Sequence, residues 1–296
     1  MDHELRKPGT STLVTGAAGF LGRALARALA EAGHNVTALA HSDGDVADAA
    51  TWARLPAAQH VFHLAARSYV PDSWHDPAGF LSTNVNGTVQ ALDYCRRTGA
   101  HLVFASTSLF GPPNRLPVRE DDTAEPNTPY ALSKLLAEQA CAFYAAAMQV
   151  NATVVRPFNI YGPGQRPEFL IPAIVDQIRR GRVEIRVKSL APRRDFVFLD
   201  DVVAALIRTM AEPAGYRVIN IGSGVSHSAR EVVDVIQAAA GTRLPVVSDE
   251  ETRSGEMPDV YADISRAREI LGWAPSLTFE QGIARLLAAE LGAAST

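Results

Sequence analysis

Short apolar runs alternate with stretches of helical periodicity through the first half of the chain. The apolar runs predict strands at Thr12–Thr15, Asn35–Ala40, His60–Ala65, His101–Ala105 and Ala152–Arg156. Between them, apolar residues recur with the spacing of amphipathic helices at Gly19–Ala32, Asn84–Thr98 and Pro129–Met148. Strands that alternate with helices in this way are typical of a parallel sheet covered on both faces, which binds ligands at the carboxyl ends of its strands.

The second half of the chain is less regular. Glycine and proline punctuate residues 156–167 (RPFNIYGPGQRP), which we expect to form a loop. We predict a strand at Arg217–Ile221, helices at Ile171–Arg180 and Ala229–Ala240, and a last helical region from Val260 onward. Since no repeat, low-complexity tract or flexible linker separates the halves, we expect two interleaved lobes rather than two consecutive domains.

The composition argues against several kinds of partner. The net charge of −4 gives no support for binding to nucleic acid. No apolar run approaches the length of a membrane span, and the first residues lack the apolar core of a signal peptide, so we expect a cytoplasmic protein without a membrane partner. The two cysteines, Cys95 and Cys141, lie in apolar helical patterns, so we expect buried free thiols and no metal site.

Three glycines, Gly16, Gly19 and Gly22, connect the first strand to the first helix in the sequence TLVTGAAGFLG. Glycine allows a tight turn and brings bare backbone N–H groups close to a ligand. The N-terminus of the following helix adds partial positive charge at the same point, which favours a phosphate. A merely structural turn is the alternative. We predict the pyrophosphate of a dinucleotide here and a doubly wound α/β sheet of the Rossmann type.

Tyr130 and Lys134 form the strongest chemical pattern in the chain. Thr128 and Pro129 are typical of a helix N-cap and a first helical residue, so Tyr130 and Lys134 are expected to share one face of the first turns. A nearby ammonium lowers the pKa of a phenol from its ordinary value of about 10, which makes tyrosine a usable general acid or base. An amphipathic helix that carries both residues by chance is the alternative.

Three hydroxyl residues, Ser106, Thr107 and Ser108, follow the predicted strand His101–Ala105. They are therefore expected at the carboxyl end of that strand, where a parallel sheet binds its ligands. A hydroxyl there can hydrogen-bond a substrate carbonyl beside the tyrosine.

Segments along nearly the whole chain resemble one family, the extended short-chain dehydrogenase/reductases of the nucleotide-sugar epimerase, dehydratase and reductase branch. The matching segments are GAAGFLG, VFHLAARSYVPDSW, TNVNGT, VFASTSLFG, PYALSK, RPFNIYGPG, RRDFVFLDDV and RSGEMPDVYADISRAREILGW. Within that branch, RPFNIYGPGQ and RRDFVFLDDV are similar to the segments of GDP-4-keto-6-deoxymannose reductases, and 4-epimerases of the UDP-galactose kind share most of the pattern.

The resemblance implies a bound dinucleotide, with Tyr130 as the acid/base and Lys134 as the residue that tunes it and holds the nicotinamide ribose. Thr107 or Ser106 would be the catalytic hydroxyl. The cofactor contacts that the resemblance implies are Gly16, Ala18, Gly19, Phe20, Leu21, Gly22, Asp45, Val46, Leu64, Ala65, Ala66, Asn84, Tyr130, Lys134 and Pro157.

A nucleoside-diphosphate sugar is the implied substrate. Its expected contacts are Ser68, Thr107, Asn159, Phe169, Leu170, Arg194 and Arg253. The arginines suit this role physically, because planar guanidinium groups bind phosphate in a forked geometry. The resemblance further implies a homodimer built on the helices at Asn84–Thr98 and Pro129–Met148. It divides the chain into a dinucleotide domain of residues 1–157, which also receives 196–222, and a sugar-nucleotide lobe of 158–195 and 223–296.

One departure from the family concerns the cofactor. The predicted strand Asn35–Ala40 is followed by His41, whereas members that prefer NAD carry an acid at the strand end for the ribose hydroxyls. Without that carboxylate a 2′-phosphate is not repelled, and His41 and Ser42 can accommodate it, with Arg23 as a further candidate. We therefore favour NADP(H). Asp43 can take the place of the acid and keeps NAD(H) open.

A second departure concerns the edge of the sheet. The chain passes from His41 to Asp45 within a few residues, an interval in which family members usually place a helix and a further strand. We expect a trimmed sheet edge and a more open adenine pocket.

A third departure concerns the hydroxyl motif, which is one residue short. Counting from the strand selects Thr107 as the catalytic hydroxyl, whereas counting back from Gly111 selects Ser106; we favour Thr107 because strand position decides which side chain reaches the site. Sugar 4,6-dehydratases carry an acid one or two places after the hydroxyl, where this chain has Ser108 and Leu109. Dehydration is therefore not expected.

The sequence favours NADPH-dependent reduction of a nucleoside-diphosphate 4-keto-6-deoxy sugar. An NAD-dependent nucleotide-sugar 4-epimerase is the nearest alternative, because the two reactions use nearly the same residues. A non-catalytic nucleotide-binding protein on the same fold is a third hypothesis, which the presence of both Tyr130 and Lys134 disfavours.

Overall fold

Strands and helices alternate through most of the molecule. The structure is a computed structural model that describes residues 9–108, 111, 113–211, 215–249 and 257–292. Its strands are β1 (Ser11–Thr15), β2 (Asn35–Leu39), β3 (His60–His63), β4 (His101–Ala105), β5 (Ala152–Pro157), β6 (Asn159–Tyr161), β7 (Ile185–Val187), β8 (Arg193–Phe198), β9 (Tyr216–Ile221), β10 (Ser226–Ser228), β11 (Val246–Ser248) and β12 (Asp259–Val260). Its helices are α1 (Phe20–Glu31), α2 (Ala49–Ala53), α3 (Val70–His75), α4 (Pro77–Leu81), α5 (Gly87–Thr98), α6 (Pro129–Met148), α7 (Leu170–Arg179), α8 (Leu199–Arg208), α9 (Ala229–Ala240), α10 (Ser265–Leu271) and α11 (Phe279–Gly292).

Six of these strands form one parallel sheet in the order β2-β1-β3-β4-β5-β9. The order reverses beside β1, and such a reversal opens a ligand crevice at the carboxyl ends of the strands. The doubly wound Rossmann-type fold predicted from the sequence is confirmed. Within the described ranges β2 is the edge strand, as expected from the short interval after His41, and a 3₁₀ turn at His41–Asp43 and α2 lead from it to β3.

Successive residues of the central strands enter two separate apolar cores. Leu13 and Leu102 pack with residues of α2, α5 and α6, whereas Val14 and Val103 pack with residues of α1 and α8. This alternation follows from the pleat of a strand, which points neighbouring side chains to opposite faces. Cys95 and Cys141 lie in the first core as free thiols, as predicted.

A second, smaller assembly of strands covers the carboxyl side of the sheet. In it β8 pairs in parallel with β6 and β12 and antiparallel with β10, while β7 pairs with β11. Residues of α7, α9 and α11 supply its apolar core. Thus β9 belongs to the large sheet and β8 to the small one; the residue boundaries of the two lobes stay a prediction.

The buried carboxylate of Asp195 connects β8 to its surroundings. It accepts hydrogen bonds from the Ser223 N–H at 2.6 Å, the Ser223 hydroxyl at 2.7 Å, the Gly224 N–H at 3.0 Å and the Ala262 N–H at 3.1 Å. A buried carboxylate that is bonded this completely holds its neighbours firmly, because water does not compete for its oxygens. The turn after β9 and the segment after β12 are therefore fixed to β8.

Helix α6 begins where the sequence predicts. The Thr128 hydroxyl accepts a hydrogen bond from the Ala131 N–H at 3.0 Å, and Pro129 occupies the first turn, which needs no donor there. This start puts Tyr130 in the first turn and Lys134 one turn later, both on the buried face. Within the described part of the chain, no helix combines the length and apolar character that crossing a membrane requires.

Three buried histidines lie on the inner strands of the sheet. His60 and His101 are paired in register at the starts of β3 and β4, with 3.4 Å between their Nδ1 atoms. Burial, and then the neighbouring His34, lower the pKa of His60 to about 4, and burial, His60 and Arg217 lower that of His101 to about 3. Burial and Lys134 lower the pKa of His63 to about 3.

These histidines make the fold sensitive to acid. Their pKa values rise to about 6.5 when the chain unfolds, so the unfolded chain binds more protons below that pH. Stability is therefore full above pH 6.5 and falls as the pH drops towards 4, by about 1.4 kcal/mol per histidine at about pH 5.5. We expect His101→Gln to lose less stability than the wild type between about pH 7.5 and 5.5 in urea unfolding followed by circular dichroism.

The exposed His75 offers the matched control, since His75→Gln is expected to keep the full pH dependence. Equal losses of stability in His101→Gln and the wild type would show that His101 is not a source of the acid sensitivity.

Candidate active site

The glycine turn after β1 forms a cradle of bare backbone. Gly16 has φ +68°, and a Cβ there would lie 2.8 Å from the Ala65 nitrogen. A Cβ on Gly22 would lie 2.1 Å from the Gly16 oxygen. Gly19 caps α1 without a side chain, and the first turn of α1 contains no acidic residue. The turn and the open helix N-terminus therefore fit the pyrophosphate of a dinucleotide.

The other predicted contacts of this turn offer mainly backbone. Ala18 is exposed, whereas Phe20 and Leu21 are half-buried against the core behind α1. Leu64, Ala65 and Ala66 follow β3 and pass directly over Gly16, where the Ala65 N–H donates to the Thr15 hydroxyl at 3.2 Å. The glycine turn and the segment after β3, which were predicted separately as cofactor contacts, thus lie against each other in the structure.

The turn after β2 contains the groups on which cofactor preference was predicted to depend. His41 and Ser42 lie in the 3₁₀ turn, and the Asp43 carboxylate accepts a hydrogen bond from the Ala40 N–H at 2.8 Å. Arg54 was not predicted from the sequence. Its guanidinium donates to the Asp43 carbonyl. Arg54 supplies a cation at the turn that follows β2.

Asp45 and Val46 connect this turn to the rest of the sheet. The Asp45 carboxylate accepts the Ala47 N–H at 2.9 Å, and the Val46 carbonyl accepts the indole N–H of the buried Trp52 at 2.8 Å. The side chain of Val46 packs against Gly87 at the start of α5, where an added Cβ would come within 2.9 Å of it. The two residues are held in place, with Asp45 exposed and Val46 buried.

Asn84 lies in a π-helical turn, Ser82–Asn86, which replaces the first turn of the helix predicted from residue 84. Its amide group accepts the Arg67 N–H at 2.9 Å and donates to the Arg67 carbonyl at 3.0 Å and the Ser133 hydroxyl at 2.9 Å. Asn84 therefore fixes the loop after β3 against α6. Single π turns of this kind are frequent at functional sites.

Tyr130 is almost completely buried, with 7% of its surface exposed. The ring of Phe80 meets it edge-on at 6.4 Å, and the phenol shares a hydrogen bond with Thr107. Burial raises the pKa of Tyr130, and the Thr107 hydrogen bond lowers it. A phenol that keeps its proton at neutral pH is suited to donate that proton to a substrate oxygen.

Thr107 and Ser106 differ in what their hydroxyls contact. Thr107 reaches Tyr130, as counting from the strand suggested. The Ser106 N–H donates to the Val155 carbonyl at 2.8 Å, and its hydroxyl is buried without a hydrogen-bond partner within the described chain. Pro157 ends β5, the strand next to these residues. This geometry favours Thr107 as the hydroxyl that acts with Tyr130.

Lys134 is buried against β4. Its ammonium donates to the Ala105 carbonyl at 2.7 Å and lies 4.6 Å from the centre of the Phe104 ring. Burial lowers the pKa of Lys134 to about 8. A carboxylate on the same helix has the opposite effect and raises this pKa. From the sequence, the ammonium of Lys134 is expected to lower the pKa of Tyr130. In the structure the Ala105 carbonyl holds the ammonium, and the pKa of Tyr130 is set by burial and by the hydrogen bond with Thr107.

The carboxylate beside Lys134 belongs to Glu138, which the sequence analysis did not single out. Arg156 of β5 donates to both of its oxygens, at 2.9 and 2.6 Å. The spacing of four residues from Lys134 was a signal in the sequence, since such residues share a helix face.

Two of the predicted substrate contacts, Asn159 and Arg194, lie near the start of β8. The Asn159 amide donates to the Asp195 carbonyl at 3.1 Å. The Arg194 guanidinium donates to the carbonyls of Arg193 at 2.7 Å and Met257 at 2.8 Å. Arg253, the remaining arginine, lies outside the described residues.

The loop after β3 and the loop before α7 meet at residues predicted to bind the sugar nucleotide. Phe169 precedes α7, which begins at Leu170, and its ring lies edge-on to Tyr69 at a centroid distance of 6.5 Å. The Arg166 guanidinium lies 5.5 Å above the same Tyr69 ring. Ser68 is exposed beside this contact. The ring contact brings the loop after β3 against the loop before α7.

The chemistry of the site is that of proton transfer beside an anion cradle. Within the part of the chain that the structure describes, no three or more His, Cys, Asp and Glu side chains are grouped so that they could hold a metal ion. The titratable groups at the carboxyl edge are instead a phenol, Tyr130, and an ammonium, Lys134.

Comparison with known proteins gives concordant matches. The family model described as the NAD dependent epimerase/dehydratase family matches residues 12–222. The chain is 32% identical to the GDP-6-deoxy-D-mannose reductase of Pseudomonas aeruginosa, with 93% of this chain and 95% of that protein covered. It is 33% identical to the UDP-glucose 4-epimerase of Mycolicibacterium smegmatis, with 93% and 96% covered.

Solved structures match the whole architecture. The structure of RMD from Pseudomonas aeruginosa complexed with NADPH superposes with a TM-score of 0.86 at 28% identity, covering 95% of this chain and 98% of that one. MoeE5 in complex with UDP-glucose and NAD superposes with a TM-score of 0.88 at 30% identity, covering 96% and 99%. Similar proteins thus include one bound to NADPH and one bound to NAD.

The glycine cradle predicts the effect of a single methyl group. In Gly22→Ala the new Cβ would meet the Gly16 oxygen, so the turn must open, at a cost of about 1–3 kcal/mol. We expect NADPH and NADH to bind roughly ten- to a hundredfold more weakly in a fluorescence titration. Gly181→Ala is the control, because a Cβ at Gly181 would face open space; Gly181 has a positive φ of +64°, unlike Gly22, so this variant adds backbone strain without a clash. Equal weakening in both variants would contradict a phosphate cradle at Gly22.

Proposed function

The chain belongs to the NAD dependent epimerase/dehydratase family, and we propose that it is an NADPH-dependent reductase of a nucleoside-diphosphate 4-keto-6-deoxy sugar. It is an NAD(P)-dependent enzyme of nucleotide-sugar metabolism; the direction and substrate of its reaction are what we propose. The observation that carries the proposal is the hydrogen-bonded pair of Tyr130 and Thr107, which lies at the same carboxyl edge of the sheet as the glycine cradle.

The residues at this edge can complete the reduction of a ketone. When bound, the cofactor supplies a hydride to the keto carbon. Tyr130 donates its phenolic proton to the keto oxygen, so that the product is an alcohol and no alkoxide is left. The Thr107 hydroxyl holds the same oxygen, and the ammonium of Lys134 stabilises the phenolate that Tyr130 becomes.

The turn after β2 supports NADPH over NADH. A 2′-phosphate carries negative charge, which the cation of Arg54 and the polar groups of His41 and Ser42 suit. The Asp43 carboxylate is the group that would oppose it, but it is turned to the backbone N–H of Ala40. The dinucleotide would be held by this turn at one end and by Lys134 and Asn84 at the other, with its pyrophosphate on the glycine cradle.

The small lobe supplies candidates for the sugar nucleotide. Arg194 is fixed by two carbonyls and presents a guanidinium for a phosphate. We propose that Asn159, Ser68, Phe169 and Leu170 also contact the nucleotide or the sugar.

A 4-epimerase is the second candidate, because the chain is as similar to an epimerase as to a reductase. An epimerase would retain its cofactor and first oxidise the sugar, which requires Tyr130 to start as a base. The raised pKa of Tyr130 favours the protonated donor that reduction needs.

Incubation with candidate sugar nucleotides tests the proposal. GDP- and dTDP-linked 4-keto-6-deoxy sugars are mixed with the protein and NADPH, and oxidation of NADPH is followed by absorbance. We expect stoichiometric NADPH consumption. Interconversion of 4-isomers of a UDP-sugar without net consumption of cofactor would contradict the reductase and favour the epimerase.

Tyr130→Phe is the variant that tests the proposed proton donor. It removes one hydroxyl from a buried ring, so we expect a loss of about 10²–10⁴-fold in kcat with cofactor binding retained. Unchanged turnover in this variant would refute the role of Tyr130.

We further propose that the protein is a homodimer that pairs through α6. The outer face of this helix carries three exposed apolar residues at helical spacing, Leu132, Leu136 and Phe143. An apolar stripe on a helix whose other face is already buried is typical of a protein interface.

A charge on this stripe is expected to separate the protomers. Phe143 is 60% exposed, and Phe143→Glu would bury an unpaired carboxylate at the interface, so the mass measured by light scattering should fall to that of a monomer. Val183 is 82% exposed on the small lobe, and Val183→Glu should remain dimeric. A wild-type monomer, or a dimer in Phe143→Glu, would contradict the proposed interface.

A further inference from the structure

A buried ion pair lies one helical turn beyond Lys134. Glu138 and Arg156 are exposed by only 3% and 9%. Arg156 donates from Nε and Nη2 to the two carboxylate oxygens, at 2.9 and 2.6 Å, and from Nη1 to the Glu120 carbonyl at 3.0 Å. This forked pairing places the guanidinium on both oxygens of the carboxylate, which is the strong, charge-assisted geometry of an arginine–carboxylate pair. The catalytic steps proposed above make no use of the pair.

Lys134 lies in surroundings that disfavour its charge. It is 3% exposed, and its direct contacts are one carbonyl, that of Ala105, and the face of the Phe104 ring. Both contacts attract a cation, but neither carries a negative charge. Burial alone therefore favours the neutral amine.

The charged and titratable groups around Lys134 come from three elements. On α6 they are Tyr130, Glu138 and Cys141; β3 contributes His63, and β5 contributes Arg156. Burial raises the pKa values of Tyr130 and of the Cys141 thiol and lowers that of His63, so these three groups are neutral near pH 7. Among the described groups that act on Lys134, Glu138 is the anion.

We propose that Glu138, paired with Arg156, is a positioning residue that keeps Lys134 protonated so that Tyr130 can release its proton during turnover. The proposal rests on the proposed function, since it gives Lys134 the task of stabilising the phenolate. It gives the buried pair a role other than stabilising the fold. Buried ion pairs often fail to increase the stability of a protein.

It follows that the protonation of Lys134 depends on one charge, that of Glu138. Removing the negative charge of Glu138 takes away the attraction that opposes burial and leaves the cation of Arg156 in the same region. Glu138 lies one helical turn from Lys134 on the buried face of α6, and a neighbouring carboxylate favours the charged ammonium. Without Glu138, Lys134 is expected to lose its proton near or below neutral pH.

Lysine NMR measures this directly, because the chain contains only three lysines, Lys7, Lys134 and Lys188. Protein labelled with ¹³C at the lysine ε-carbon gives three signals, and Lys7→Arg and Lys188→Arg identify that of Lys134. Titration of this signal needs neither substrate nor cofactor. A failure of the proposed reductase activity therefore stays distinguishable from a failure of this inference.

In the wild type we expect the pKa of Lys134 at about 8. Glu138→Gln should lower it by about 1 or more. Glu138→Gln combined with Arg156→Met leaves no unpaired buried ion and should lower it in the same direction, which keeps the test available if the single variant does not fold. A pKa of Lys134 that stays at the wild-type value in these variants overturns the inference.

Two controls separate charge from general disturbance. Glu120→Gln removes another buried carboxylate near Arg156, one that accepts the Asn220 N–H at 2.8 Å, and should leave the pKa of Lys134 unchanged. Arg156→Lys keeps the cation and should also leave it close to the wild-type value. A shift in Glu120→Gln as large as that in Glu138→Gln would contradict a specific effect of Glu138.

Turnover gives the second readout. Activity that needs protonated Lys134 falls as the pH rises through its pKa, so the alkaline limb of the kcat profile should move to lower pH in Glu138→Gln by the same amount as the NMR value. A shifted NMR pKa with an unmoved alkaline limb overturns the link to Tyr130.

Discussion

The buried ammonium of Lys134 is the constraint on which the rest of the site depends. A charge in the protein interior is unfavourable unless partners surround it. Here the partners are a carbonyl and an aromatic ring of β4 and a carboxylate of α6, from Ala105, Phe104 and Glu138. Because these partners belong to two elements, α6 is held in one position against the sheet. That position brings Tyr130 to the carboxyl end of β4, where Thr107 meets it.

Two further buried charges organise the surroundings of this centre. Arg156 joins β5 to α6 through Glu138 and to the segment before α6 through the Glu120 carbonyl. Asp195 joins β8 to the turn after β9 through Ser223 and Gly224. The large sheet and the small lobe are thus connected by charged hydrogen bonds, because β8 belongs to the small lobe and β9 to the large sheet.

The sequence predicted the parts of this arrangement that have short-range signals. The parallel sheet followed from alternating apolar patterns, and the start of α6 followed from Thr128 and Pro129. The end of β3 could not be predicted in this way. The strand stops at His63 because the Ala65 N–H bonds to the Thr15 hydroxyl instead, and this contact joins residues fifty positions apart. The direction of the Lys134 ammonium was likewise not predictable, since it depends on a carbonyl of β4.

Arg54 and Arg156 show the same limit of local pattern. An exposed arginine after a short helix and an arginine at a strand end carry no signal until the fold places one beside Asp43 and the other beside Glu138. Glu138 itself had a signal, its spacing from Lys134. That spacing affects the protonation of Lys134 because both side chains are buried, and their burial follows only from the packing of the helix.

We infer that this edge of the sheet reduces a nucleotide-linked keto sugar in one direction. A deuterium-transfer experiment tests this inference: NADPH deuterated at nicotinamide C4 is incubated with the 4-keto-6-deoxy sugar nucleotide, and the product is analysed by mass spectrometry and NMR. We predict one deuterium at C4 of the sugar for each NADP⁺ formed. A product without deuterium, formed as a 4-isomer with no NADP⁺ released, would contradict the account.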